Sequence, residues 1–153
     1  MADTIREQII KNAVTRAGVI RIAAGYNTDI GVNAVRDLKT LDEGTALVVE
    51  VIAMPEESVK VKFGKMDNKM PIALKAAVKL TSTQNIHEVS EEIYGDLVKS
   101  MTDPASPFSP LTESITHTGG GGVETPKNEE RFASAIATFD VKYKTILGNP
   151  YAQ

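Results

Sequence analysis

Few residues in this chain have the types and spacing from which chemistry could be built. His87 and Glu91 stand four apart in a helical pattern, a spacing that can offer two ligands to one metal ion. A structural metal site needs about four ligands. The chain has no cysteine, so only His117 could add another nitrogen, and an exposed helix face explains the pair more simply. The run Gly119, Gly120, Gly121 and Gly122 invites comparison with phosphate-binding loops. Those need a Lys-Ser or Lys-Thr pair and a helix opening directly after the loop, whereas Val123, Glu124, Thr125 and Pro126 lead here into a strand pattern. A connector or intersubunit loop is therefore expected over 119–130. Serine and threonine are plentiful, but no Gly-x-Ser-x-Gly elbow occurs, and two histidines without a flanking glycine turn make no clear triad. The expectation is a protein that is not an enzyme and needs neither metal nor cofactor.

Charge and composition narrow the classes further. The 153 residues carry a net charge of -3, with 42% hydrophobic and 24% charged residues, ordinary values for one soluble domain. A negative chain has no global attraction for phosphate backbones, and aromatics at 5% with no Trp leave little from which to build a stacking platform. Lys60, Lys62, Lys65 and Lys69 form the one basic concentration, read as the solvated face of a strand. Glu88, Glu91, Glu92 and Asp96 form an acidic helix face, usually solvated and occasionally a docking face. Without cysteine, disulfides are excluded. No basic and apolar leader opens the sequence, and no run approaches the roughly twenty apolar residues that span a bilayer. A cytoplasm-like compartment is expected.

The elements that must position these residues follow from periodicity. Ile5, Ile9, Ala13 and Ala17 place an apolar stripe on a helix over 4–17, with Thr4 and Glu7 as a capping box and Gly18 as a left-handed end. Ile20 to Ala24 reads as a short strand. From Gly25 to Gly44 the period is lost, and a long loop or arm is expected, extended over Val32 to Leu38. Strands follow at Leu47 to Ala53, stopping at Pro55, and at Val59 to Phe63 with Val59, Val61 and Phe63 inward. A turn is expected over Gly64 to Lys69, and then the cleanest alternation in the chain, Ile72 to Thr81. Asn85 opens a second helix marked by Ile86, Val89, Ile93, Leu97 and Met101, ending before Pro104. Pro104, Pro107 and Pro110 make a stiff surface linker. Strands at about 111–118 and 131–145 close the chain, the second placing Ala133, Ala135, Ala137, Phe139, Val141 and Tyr143 on one face. Helix, strands, helix, strands indicates an α+β fold: a mixed, mostly antiparallel sheet with two amphipathic helices packed on one face, in a single domain over 1–153 with loops or arms near 25–44, 64–70, 104–110 and 119–130.

In this order the residues resemble the tail terminator, or tail completion, proteins of bacteriophages with long non-contractile tails. The resemblance rests on the opening amphipathic helix, the Tyr26-Asn27-Thr28-Asp29-Ile30-Gly31 turn and the early strand Ala46-Leu47-Val48-Val49. It continues through Glu92-Ile93-Tyr94-Gly95-Asp96-Leu97, the Thr116 to Gly122 segment, and Phe139 to Thr145 with Gly148-Asn149-Pro150-Tyr151. It covers nearly the whole chain and lies in order and spacing, with no single specific motif. It departs from the commoner pattern in the Pro104 to Pro110 linker and the continuous glycine run. The resemblance implies a ring subunit in the virion, a homohexamer on the head-proximal end of the tail. Such a ring caps the last ring of the tail tube, stops its growth and presents a surface for the head connector. The implied partners are the major tail tube protein and head-completion or connector proteins, with DNA passing through the lumen without specific binding. Six copies would carry roughly -18, a charge that lets DNA slide. The segments that would meet a neighbouring subunit, the tube or the connector hold Tyr26, Asn27, Asp29, Val32, Val35, Arg36 and Leu38, then Lys65, Met66 and Asp67, then Gly119 to Gly122 and Glu124. The alternatives are a head-side neck adaptor ring and a small metal-dependent enzyme built on His87, Glu91 and His117.

Overall fold

The computed structural model describes residues 2–36, 46–127 and 130–153, with the backbone alone for 123–127 and 130. Thr4 opens the first helix, α1 (Ile5–Ala17), its hydroxyl accepting the Glu7 N–H at 3.1 Å. The predicted stripe of Ile5, Ile9, Ala13 and Ala17 is buried, with Ile10 beside it. Gly18 is not left-handed as expected. It stays in the right-handed region (φ -65°) and donates to Val14 O, and the positive φ comes later, at Gly25 (φ 85°). Between them the expected strand at Ile20 to Ala24 is a 3-10 turn, Ile22–Ala24. The reason is close packing: the chain returns at Gly31, where a Cβ would stand 2.6 to 2.8 Å from the carbonyls of Ala17, Ile20 and Gly18. With a turn pressed against it, this segment has no room for a partner strand. The extension expected over Val32 to Leu38 shrinks likewise to a 3-10 turn, Ile30–Asn33, and a two-residue strand, β1 (Ala34–Val35). Leu38 lies outside the described residues.

Among the described residues the sheet has six strands: β1, β2 (Leu47–Ala53), β3 (Glu57–Val61), β4 (Lys65–Lys79), β5 (Ser114–Lys127) and β6 (Glu130–Ile146). Its order is β1-β2-β4-β6-β5, with β1 and β2 parallel, the other pairs antiparallel, and β3 on β4. The fold is α+β with a mixed, mostly antiparallel sheet. β2 and β3 follow one another along the same side of β4, pairing with 72–78 and 65–69. They are separated at Pro55, which has no N–H for the ladder.

Two expected loops are strands. The turn placed at 64–70 is confined to Lys62–Gly64, because Lys65 to Lys69 pair on one side with β3 and on the other with Lys142 to Ile146. The glycine run expected as a loop over 119–128 belongs to β5, paired with β6 from Gly119↔Thr138 to Gly122↔Ala135 and on to Lys127. The inward reading of β3 also fails: Val59 is 63% exposed and Phe63 97%. β3 is exposed along its length apart from half-buried Val61, so its alternation has no core to face.

Both helices lie on one face of the sheet, over β6 residues Ala133, Ala135, Ala137, Phe139, Val141 and Tyr143 and β4 residues Ile72, Leu74, Ala76 and Val78. In α2 (Ile86–Thr102), Val89, Ile93, Leu97 and Met101 point into this core. Each such Ile or Leu contributes about 1.5–3 kcal/mol, which is why the stripe decides how the helix lies. The 104–110 segment is less a spacer than expected. Phe108 packs into the core, and the Asn12 side-chain amide donates to Ser109 Oγ at 2.8 Å.

Candidate functional site

Most of the expected contact residues fall in two places, near opposite ends of the sheet, with the glycine run beneath α2. The first is the turn after α1. Asp96 of α2, only 1% exposed, accepts from the Asn27 N–H (3.0 and 3.1 Å), the Asn27 side-chain amide (3.2 Å), the Thr28 N–H (2.8 Å) and the Thr28 hydroxyl (2.7 Å). One turn further along α2, the Lys99 ammonium donates to Gly25 O at 2.7 Å and lies 4.7 Å from the centre of the Tyr26 ring. Burial pushes the Tyr26 phenol above its usual value. Asp29 accepts the Ile22 N–H at 2.8 Å. Tyr26, Asn27 and Asp29 thus form a preorganised turn clamped to α2, and Ile22 and Val32 stand exposed on it. Beside Asn27, the first two turns of α2 supply His87, Glu88, Glu91 and Glu92 to an open groove of about 590 Å³. Val35 is half-buried in β1, and Arg36 pairs with Glu7 of α1 at 2.5 Å, which ties the helix to this sheet edge.

The second place is the β3–β4 hairpin. Lys65 is exposed, Met66 half-buried, and Asp67 faces Lys144 at 3.8 Å. At the tip, Phe63 adopts φ 63° and ψ 31°, a left-handed conformation that costs a non-glycine residue about 1–2 kcal/mol. Gly64 follows at φ 69°. Exposed Lys60, Lys62 and Lys65 flank Phe63 along the hairpin, and none of them forms an ion pair among the described residues. Leu147, itself exposed, ties the tip to the end of β6 by donating its N–H to Gly64 O at 2.7 Å. At the foot of the hairpin the Tyr143 hydroxyl donates to Glu56. Burial first, and that bond second, hold its pKa well above the usual phenol range.

The glycine run lies beneath α2 for steric reasons. A Cβ at Gly122 would stand 2.8 Å from Ser90 Cβ, so α2 rests directly on bare backbone. Gly120, at φ 133°, would place its Cβ 2.1 Å from Ile136 O. Gly119, at φ 159°, follows an irregularity in the pairing after His117, while Gly121 has open space around it. Glu124, of which only the backbone is described, pairs with Ala133 in the β5–β6 ladder.

His117 sits beneath α2. Its Nε2 lies 3.0 Å from both the Tyr94 hydroxyl and Gly119 O, and its ring packs on Phe139. It is thus apart from the groove that His87 and Glu91 line, and no group of three potential metal ligands occurs among the described residues. No helix among them is long and apolar enough to cross a membrane.

Two features escaped the sequence reading. Asp96, expected on a solvated acidic face, lies on the buried stripe, where its spacing from Val89, Ile93 and Ser100 puts it. Phe63 was placed inward, although the glycine after it marks a tip. Compared with models of known protein families and with curated proteins, the sequence matches none.

Proposed function

We propose that this protein is a ring-forming virion component, a phage tail terminator that caps the last ring of the tail tube as a hexamer and offers the head-joining surface. The observation that carries this reading is the β3–β4 hairpin, which presents a fully exposed, conformationally strained Phe63 among exposed lysines that form no ion pair among the described residues. Strain and aromatic exposure at one residue are both unfavourable in the isolated subunit. They are retained where the residue is completed by contact with another chain. The order of elements supports the same reading through its resemblance to tail terminators, as does a sheet whose helices lie on one face.

The test is assembly of the cognate tube and tape-measure proteins with and without this chain, followed by electron microscopy of tube lengths. Tubes that overrun a fixed length only in its absence, with a ring on the terminal end in its presence, bear the proposal out. Unchanged lengths with tails that fail to join heads assign the protein to the head-side neck instead.

A further inference from the structure

We infer that the β3–β4 hairpin tip of one copy docks into the acidic groove between the Ile22–Asn27 turn and the start of α2 on the next copy. The inference deepens the ring reading by naming the two surfaces that would join the subunits. The tip offers Phe63 with Lys60, Lys62 and Lys65, and the groove offers Glu88, Glu91 and Glu92 beside Asn27, with exposed Ile22 on the same turn. None of these lysines and glutamates forms an ion pair among the described residues. The two surfaces are therefore opposite in sign, with an apolar group on each side.

A chain cannot satisfy this match alone. The groove stands over Gly122, where Glu91 Oε1 would come within 3.4 Å of an added Cβ. Gly122 is level with Ala135 and Ala76, whereas the tip precedes Lys65. From Lys65 to Ala76 runs roughly 36 Å of strand at about 3.3 Å per residue. Tip and groove are thus at opposite ends of a stiff ladder, and the groove within reach of a tip belongs to another copy. Two unlike surfaces on one chain make a head-to-tail contact, which closes into a ring when the rotation between copies allows. Preorganisation favours it: Asp96 fixes one wall of the groove, and a three-residue turn fixes the tip.

Charge reversal tests the contact on the full chain. One variant carries Lys60→Glu, Lys62→Glu and Lys65→Glu, and the other Glu88→Lys, Glu91→Lys and Glu92→Lys, all at exposed positions. Each alone should self-associate at least about tenfold more weakly than the parent in sedimentation velocity at low salt. An equimolar mixture should recover assembly, because each tip then meets a groove of opposite sign, and only even-numbered rings should form. The chain has no cysteine, so mixing Phe63→Cys with Glu91→Cys and oxidising reports even a weak contact as a crosslinked heterodimer. Variants that associate like the parent, a mixture that recovers nothing, or no crosslink at millimolar protein would overturn the inference. So would capture of the chain by phosphatidylserine vesicles through Phe63 in the absence of that crosslink. The tube-length assay separates the two proposals. Variants that still limit tube length refute this contact alone, and a mixture that forms rings without limiting tubes refutes the terminator reading alone.

Discussion

At the scale of single residues, the glycine run divides into positions that need glycine and one that does not. Gly120→Ala should destabilise by about 2 kcal/mol or more, since the new methyl would overlap the Ile136 carbonyl at a positive φ. Gly122→Ala should cost about 1–3 kcal/mol by pushing α2 off the strand at Ser90. Gly121→Ala meets open space and should be neutral or stabilise by up to about 0.5 kcal/mol, through lower entropy of the unfolded chain. Urea midpoints of the three variants measure this ranking, and equal midpoints would contradict it. Asp96 presents a different case. Asp96→Ala would strand the Thr28 N–H and hydroxyl in a buried place and release the Asn27 donors, and should cost about 3 kcal/mol. Hydrogen exchange at those two amides should accelerate more than exchange in β6. Tyr143 gives the fold a pH dependence of known sign. Its phenol is held neutral in the folded state, so its contribution is whole below the usual phenol value near 10 and is lost as pH rises through the higher folded value. Absorbance at an alkaline endpoint should therefore show Tyr143 ionising late and together with loss of far-ultraviolet circular dichroism. Phe substituted at this position should flatten that alkaline limb.

At the scale of elements, what was legible was whatever had a complete apolar face. The α2 stripe and the β6 alternation from Ala133 to Tyr143 are each covered along their length, so periodicity alone placed them. β3 misleads because alternation says which residues share a face, not whether that face is covered; Val59 stays exposed on the strand, and Phe63 falls in the turn beyond it. β5 was hidden for the opposite reason. Gly119 to Gly122 have no strand propensity of their own, and the ladder with β6 together with the close approach of α2 imposes the conformation. The clamp on Asn27 and Thr28 was out of reach because its partner, Asp96, lies far along the chain. The hairpin turn sets stability against assembly. Phe63→Asn places a residue that tolerates the left-handed region where phenylalanine is strained, and should raise the subunit's stability by about 1 kcal/mol. The same change removes the apolar group of the proposed contact, so self-association should fall while the urea midpoint rises. A variant that lost both would point to a purely structural role for the ring.

At the scale of the whole molecule, the net charge of -3 makes copies repel weakly at a distance, while the proposed contact joins opposite charges at close range. Salt acts on these two effects differently. The screening length falls from about 10 Å at 0.1 M to about 3 Å at 1 M, so diffuse repulsion is screened first and the exposed lysine–glutamate attraction is weakened with it. A contact dominated by Phe63 and Ile22 alone would tighten or stay level as salt rises, because burial of apolar surface is not screened. A contact that depends on Lys60, Lys62 and Lys65 facing Glu88, Glu91 and Glu92 should loosen, with the apparent dissociation constant rising at least about tenfold between about 0.05 and 0.5 M salt. Sedimentation equilibrium across that range measures the slope. In either charge-reversed variant alone the slope should reverse, because salt then screens a repulsion, and in their mixture the parent's slope should return, since only the mixture restores pairs of opposite sign. A parent chain whose association is indifferent to salt would place the joining surfaces elsewhere on the subunit.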